Sequence, residues 1–325
     1  MELKRVAQNL SLPLARARRL PEFGALVAFL TLIVIFSLLS PKFFTLKNLT
    51  GIFTIVSELG IMTIGIAFLM ICGEFDLSVS SVYALSGFIF VTLANQIYSP
   101  LAFLITLVVA AVIGFLNGVI TLRARIPSFI TTLGMMMFLR GIMLGVTGGE
   151  TVVYYGDSIM PTLLSRFIGY GFRPSHIWFL ALTVLFSLIL TRTRYGNWVF
   201  ATGGRKEVAR AMGVPVERVK IINFIISAVL AALSGCIVLA RFKLANASLG
   251  LGMELEAIAS AVIGGTFLMG GYGTIFGAFL GASLVGMIRT GLVMAGAPAY
   301  WYRAFVGAIL IIAATINLKL RRLEM

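Results

Sequence analysis

The feature that most constrains this chain is a series of apolar runs, each close to the roughly 20 residues a helix needs to cross a bilayer. By that rule spans are expected at 24–40, 52–72, 78–96, 100–122, 126–148, 175–191, 219–240, 256–270, 273–291 and 300–317. Hydrophobic residues make up 59% of the 325 and charged residues only 12%, whereas a soluble domain carries roughly a quarter charged. A bilayer core leaves backbone polar groups no partners but each other, so such runs fold as helices. The expected fold is an all-α integral membrane protein of about ten transmembrane helices. Some are expected to be broken or re-entrant, at Cys72–Ser80 and around Gly264–Gly273.

Lys and Arg set the orientation. The net charge is +14, and most of the excess falls on one side. With the N-terminus inside, the cytoplasmic pieces hold Lys4, Arg5, Arg16, Arg18, Arg19, Arg123, Arg125, Arg192, Arg194, Arg205, Lys206, Arg210, Arg218, Lys220, Lys319, Arg321 and Arg322. The opposite side holds Lys42, Lys47, Arg166, Arg173, Arg241 and Lys243, and three arginines, Arg140, Arg289 and Arg303, lie within spans. The positive-inside rule then puts both termini in the cytoplasm and accounts for the basic charge without nucleic acid. The chain divides into a basic cytoplasmic tail at 1–23, one membrane domain at 24–317 with a cytoplasmic loop at 192–220, and a cytoplasmic tail at 318–325. The tail is read as retained, its ARARRL segment as a surface-lying basic helix. Cys72 and Cys236 both fall in apolar runs and read as core residues, not a disulfide or metal pair. His176, the only histidine, opens a span, and one histidine builds no multi-histidine metal site.

Three motifs interrupt the apolar pattern. Gly73-Glu-Phe-Asp-Leu-Ser-Val-Ser80 places two carboxylates between spans. Asp76 or Ser78 there suits the cap of the following helix, with direct contact to a transported solute as the second reading. Glu74 reads as a path residue or as a group reaching the cytoplasmic interface. The segments GIAFLMICGEFDLSVSSVYALSGF and AVIGGTFLMGGYGTIFGAFLGASL echo one another, each apolar, then Gly-rich, then small-residue helix, a pattern found at substrate paths. Gly273, Gly277 and Gly281 stand four apart and suit close helix packing, within one subunit or between two. Gly114–Gly118 and Gly141–Gly145 repeat that spacing. Within spans, Glu58, Asn117, Arg140, Asn223, Arg289 and Arg303 are costly in lipid and are expected to face the bundle interior or a water-filled path. Arg140 also suits snorkelling, and Glu254 and Glu256 suit pairing with Arg241 or Lys243.

The most specific signal is TRTRYGNWVFATGGRKEVARAMGVPVERVK, at 191–220. Gly203-Gly204 is expected to break the chain, and Arg205–Met212 reads as two helical turns with Val208, Ala211 and Met212 on one side. Gly213 stops that helix and Pro215 prevents its continuation. So short a helix is marginal alone and needs neighbours or a partner to hold it. An ordinary positive-inside loop would not need this order of Gly-Gly, helix, Gly and Pro.

ATGGRKEVARAMGVPVERVKI resembles the cytoplasmic coupling segment of ribose-type ABC sugar permeases, a family that also includes branched-chain amino acid permeases. GEFDLSVSSVYALSG, IPSFITTLGMMMFLRG and ELEAIASAVIGGTFLMGGYGTIFGAFLGA are similar to three more of its segments, in the same order over roughly residues 45–317. The sequence departs from the family pattern at Glu74 and Ser80, where glycine is usual, at Arg205, where asparagine is usual, and at Phe267, where serine is usual. The resemblance implies a permease subunit in the bacterial inner membrane, paired with a second copy as homo- or heterodimer. A cytoplasmic ABC ATPase would seat the helix marked by Gly203, Gly204, Lys206, Glu207, Ala209, Arg210, Ala211, Met212 and Gly213. A periplasmic substrate-binding protein would dock near Arg166, Arg173, Arg241 and Lys243. Candidates for the translocation path are Glu74, Asp76, Ser78, Asn117, Thr132 and Arg140. The chain has no G-x-x-x-x-G-K-[ST] loop, so ATP and magnesium belong to the partner ATPase, and this chain is expected to bind no cofactor and to catalyse no reaction. The expected cargo is a monosaccharide or related polyol. The alternatives are nucleosides or branched-chain amino acids on the same architecture, or an ion-coupled secondary transporter.

Overall fold

The computed structural model describes residues 22–298 and 300–322. The expected tail helix at ARARRL and the last three residues lie outside them. Thirteen helices are present among the described residues. They are α1 (Phe23–Leu39), α2 (Leu46–Ile71), α3 (Val79–Ala94), α4 (Ser99–Arg123), α5 (Ser128–Thr147), α6 (Ile159–Ser165), α7 (Pro174–Arg192), α8 (Arg194–Gly204), α9 (Lys206–Ala211), α10 (Val216–Phe242), α11 (Met253–Ile263), α12 (Ile275–Met294) and α13 (Trp301–Arg322). Two two-residue strands, β1 (Val152–Val153) and β2 (Leu244–Ala245), pair antiparallel with Val152 opposite Ala245.

Six helices, α2, α4, α5, α7, α10 and α12, are long and apolar enough to cross a membrane. Three expected spans correspond to shorter apolar helices: α1, α3 and the Trp301–Thr315 part of α13. The expected span at 256–270 is replaced by α11, whose 11 residues end at Ile263, with Gly264 as the C-cap. At about 1.5 Å per residue such a helix reaches only about half-way across a hydrocarbon core. A helix over 194–204 was not expected. Thr193 starts it by accepting a hydrogen bond from Gly196 N–H at 3.2 Å, an N-terminal cap.

The interior is built on α2 and α10, which are apolar or small on nearly every side and are buried along most of their length. A helix apolar all round belongs inside a bundle. α10 packs against α2, α3 and α4, and α12 packs against α2 and α11. Glycines set these distances. A methyl group on Gly114 of α4 would lie 2.5 Å from the Phe224 carbonyl oxygen of α10. On Gly277 and Gly281 of α12 it would lie 2.0 Å and 1.8 Å from the carbonyl oxygens of Gly264 and Ser260. Those two glycines therefore serve packing within this chain. Gly273 is not on their helix; it sits at φ +152° just before Thr274, whose hydroxyl caps α12 by accepting from Gly277 N–H at 2.9 Å. Gly141 and Gly145 of α5 meet nothing within 4 Å and leave that face open.

The bundle has two ends of different character. Arg123, Arg125, Arg192, Arg194, Arg205, Lys206, Arg210, Arg218 and Lys220 gather with α8 and α9 at one end, the basic end. The opposite end carries β1, β2, α6 and the loops that join them. There Asn95 Nδ2 donates to the Val153 carbonyl at 2.9 Å. Asp157 accepts from the N–H of Ser99 at 2.8 Å, from its hydroxyl, and from Ile159 N–H at 2.9 Å. It thus fastens the starts of α4 and α6 together. Partial burial works against the charge of Asp157, but these donors outweigh it and hold its carboxyl below the usual range.

Candidate functional site

The site lies at the basic end and is built from α9, two breaks in the helical pattern and the polar cluster beneath one of them. α9 is held at its C-terminus by a paired turn: Gly213 N–H donates to the Arg210 carbonyl at 2.9 Å and Val214 N–H to the Ala209 carbonyl at 3.0 Å. Gly213 sits at φ +82°, a left-handed conformation that glycine adopts without a Cβ penalty. Ala209 is the side of α9 that packs inward, whereas Val208 and Met212 are 54% and 80% exposed. Lys206, Glu207, Arg210 and Ala211 are exposed as well. An apolar pair rimmed by charges is the pattern of a docking knob.

The expected break at Gly203-Gly204 is displaced by one residue. Both glycines end α8, and the turn falls at Arg205, with φ −142°. Gly203 is a packing glycine: a methyl group there would lie 1.9 Å from the Ile71 carbonyl oxygen and 2.6 Å from Gly271 N. Three backbones meet at this point. One is the end of α8, the second the break after α2, and the third the loop between α11 and α12. Gly271 N–H donates to the Ile71 carbonyl at 2.7 Å. A methyl group on Gly270 would lie 2.8 Å from Gly73 Cα and 2.9 Å from the Gly203 carbonyl oxygen. The two segments that echo each other in sequence each form helix, break, helix, and their breaks touch.

The first break, Cys72–Ser78, is carried by α5. Phe75 N–H donates to Ser128 Oγ at 3.0 Å, Leu77 N–H donates to Thr132 Oγ1 at 3.0 Å, and the Ser81 hydroxyl donates to the Met136 carbonyl at 2.8 Å. Residues 128, 132 and 136 lie four apart on one helix face, so a single stripe of α5 takes two N–H groups of the break, those of Phe75 and Leu77, and the Ser81 hydroxyl of α3. Asp76 is fully buried. It accepts from Ser78 N–H at 2.9 Å, from the Ser78 hydroxyl at 2.6 Å and from the Ser227 hydroxyl of α10 at 3.2 Å. Asn117 Nδ2 of α4 donates to Ser78 Oγ at 2.8 Å, while Asn117 Oδ1 has no partner. Ser78 is the residue before α3, and its carbonyl accepts from Ser81 N–H at 2.9 Å and Val82 N–H at 2.8 Å, but its side chain bonds no amide of the first turn. Asp76 therefore braces the start of α3 through Ser78. Glu74, at the rim of the cluster, pairs with Lys220 of α10.

Of the six path candidates, Asp76, Ser78 and Asn117 bond to one another, Thr132 holds the neighbouring Leu77 N–H, and Glu74 stands at the rim paired with Lys220. Arg140 stands apart, at the opposite end. Its guanidinium donates to the carbonyls of Ala247 and, at 3.0 Å, Leu249. Of the docking candidates, Arg166 and Lys243 are exposed. Arg173 is half-buried and donates to the Ser165 carbonyl at 2.5 Å. Arg241 turns inward, away from Glu254 and Glu256. Its Nε stands 2.7 Å from Glu58 Oε1, and Nη2 donates to Glu58 Oε2 at 2.8 Å. His176 is buried and bonded to Thr54 at 2.9 Å; Cys72 and Cys236 are buried and unbridged.

Sequence reasoning missed Ser128, Ser227 and Lys220. The spacing of Ser128 and Thr132 was a readable signal. So was the presence of an unneutralised carboxylate and an unneutralised ammonium at the same end. Residues 48–314 match the family described as the permease component of the branched-chain amino acid transport system. The chain belongs to that permease family. It is 36% identical over 301 residues to the ribose import permease of Escherichia coli strain K12, covering 91% of this chain and 93% of that one. It is 35% identical over 315 residues to the xylose/arabinose import permease of Sulfolobus acidocaldarius, with 93% and 86% covered. With an autoinducer 2 import system permease of Photorhabdus luminescens it shares 32% over 301 residues, 92% and 90% covered. No solved structure matches the chain. Membership of this permease family and the six long apolar helices make the chain a multi-pass membrane protein.

Proposed function

We propose that this chain is the membrane subunit of an ABC importer for a monosaccharide or related polyol. The observation that carries the reading is α9. It is a short helix capped at its C-terminus by Gly213 and presenting Val208 and Met212 outward at the basic end. Burying those two side chains in a partner would remove apolar surface from water at roughly 25 cal/mol per Å². The partner is a cytoplasmic ATPase, which holds ATP and magnesium. The names of the sugar-import relatives support the substrate class.

In this reading the chain crosses the bacterial inner membrane ten times, nine times as a helix and once as α11 continued by the loop that runs to the Gly270-Gly271 turn, with the basic end and both termini in the cytoplasm. A second permease copy completes the path. A periplasmic binding protein delivers solute to the opposite end, where Arg166 and Lys243 stand exposed to meet acids on its rim. The Glu74–Asp76–Ser78–Asn117–Thr132 cluster is the closed inner part of the path, and ATP-driven motion of α9 opens it. The permease itself cleaves no bond.

Co-purification tests this. Wild-type permease should retain the ATPase in detergent, and Val208→Asp with Met212→Asp should release it while the permease stays folded. Retention of the ATPase by the double variant would overturn the role given to α9.

A further inference from the structure

Two physical links run from α9 into the buried cluster. The first is covalent and steric. α9 follows α8 through Arg205, and the end of α8 at Gly203 is wedged against Ile71, Gly73 and the Gly270-Gly271 turn. The second is ionic. Arg210 of α9 pairs with Glu217 in the first turn of α10. Three residues further along that helix, Lys220 pairs with Glu74, one residue past Gly73 in the break. The two pairs differ in setting. The side chains of Arg210 and Glu217 are 53% and 52% exposed, those of Lys220 and Glu74 only 11% and 12%.

That difference matters. An exposed pair contributes about 0–1 kcal/mol and is screened by salt. A buried pair adds little net stability over an apolar one, yet leaves a costly lone charge when one partner goes. Such a contact is nearly two-state: made, or broken with both groups forced toward water. Here it joins a straight helix to an irregular segment. Gly73, at φ +82°, precedes Glu74, and two residues beyond lies Asp76, the centre of the buried network.

We propose that Glu74 and Lys220 form a latch that couples the position of α9 to the state of the path. With the latch closed, the break is held where Ser78, Asn117 and Ser227 close over Asp76. Displacing α9 shifts the end of α8 and the first turn of α10 against the break. The latch then opens, and the break moves with the Gly270-Gly271 turn that packs on it. Glu74 and Lys220 are positioning residues that act through the backbone of 72–78. The inference rests on the importer reading.

The test uses the full importer, permease with ATPase and binding protein, in proteoliposomes supplied with labelled ribose, xylose and arabinose. Uptake and ATP hydrolysis are measured together for wild type, Glu74→Gln, Lys220→Met and the exchange Glu74→Lys with Lys220→Glu. The single variants should hydrolyse ATP yet move at least about tenfold less sugar per ATP, the effect of about 1.4 kcal/mol on a two-state balance. The exchange should restore most of the ratio. Single variants with a wild-type ratio, or an exchange as poor as the singles, would overturn the latch. If the singles fail to assemble, Glu74→Cys with Lys220→Cys replaces them, in a chain carrying Cys72→Ala and Cys236→Ala. Oxidation should then stop uptake altogether, and reductant should return it only to the low sugar-per-ATP ratio of a permease without the latch; uptake unaffected by the cross-link, or a wild-type ratio in the reduced protein, would overturn the latch. Absence of ATP-driven uptake in wild type would instead overturn the importer reading, and the latch with it.

Discussion

Removing the guanidinium of Arg241 should cost more stability than removing any surface cation of this chain. The side chain of Glu58 is only 7% exposed, half-way along α2, and that of Arg241 is 22% exposed. Nε stands 2.7 Å from Oε1, and Nη2 donates to Oε2 at 2.8 Å. Arg241→Met would leave the carboxylate buried without its partner, a loss of about 3–5 kcal/mol. Arg173 and Arg289 still attract Glu58 from further away, so the low end, about 3 kcal/mol, is expected. That corresponds to roughly a hundredfold rise in the unfolded fraction. Removing both charges is different, because replacing a buried pair with apolar groups of similar volume is often neutral. Glu58→Met with Arg241→Met should therefore recover most of the loss. Thermal unfolding of the four proteins in detergent, with Arg166→Met as the exposed control, measures the cycle. An Arg241→Met protein as stable as the Arg166→Met control, or a double variant no better than the single, would refute the reasoning.

Gly281→Val forces side-chain atoms into the Ser260 carbonyl, 1.8 Å from where its Cβ would stand, and should cost about 1–3 kcal/mol in detergent unfolding. Gly141→Val on the open face of α5 should change stability by no more than about 0.5 kcal/mol in the same assay. Asp157→Ala removes the shared cap of α4 and α6 and should cost about 1 kcal/mol near neutral pH. Because the folded carboxyl is held below its ordinary value of 3.8, its contribution is present above that pH and is lost as pH falls through the lowered folded value; acid unfolding curves of wild type and Asp157→Ala should converge there. Gly213→Val must take a φ of +82° at roughly 1–2 kcal/mol, and should weaken ATPase binding in a pull-down while the apolar bundle stays folded.

The long spans were legible because lipid allows one solution to an apolar run of 20 residues: a helix closing its own hydrogen bonds. α9 was legible for a different reason. Gly213 and Pro215 are local signals, and the paired turn at 213–214 uses them as local rules require. Composition did not show where glycines serve contact and where they serve conformation. Gly203 reads as a chain breaker, yet it is helical and small because the Ile71 carbonyl and Gly271 crowd it. Gly273 reads as the first of a packing row, yet Thr274 caps α12 after it. Ion pairs were the least legible. Glu74 meets Lys220 across 146 residues and Glu58 meets Arg241 across 183, and helical or strand periodicity carries no trace of such partners. The candidate site was readable as a list: Asn117 as a polar group within a span, Asp76 and Ser78 as the polar break between spans, and Thr132 as a path candidate from the resemblance. Their mutual closure depends on the stripe of α5 and on Ser227, which only packing brings together.

The most direct test of the central claim is uptake of labelled ribose, xylose and arabinose into proteoliposomes holding this chain alone or together with its ATPase and binding protein. ATP-dependent uptake of a sugar by the complete set, and none by the chain alone, is the predicted result. Uptake by the chain alone, driven by an ion gradient and indifferent to ATP, would contradict it.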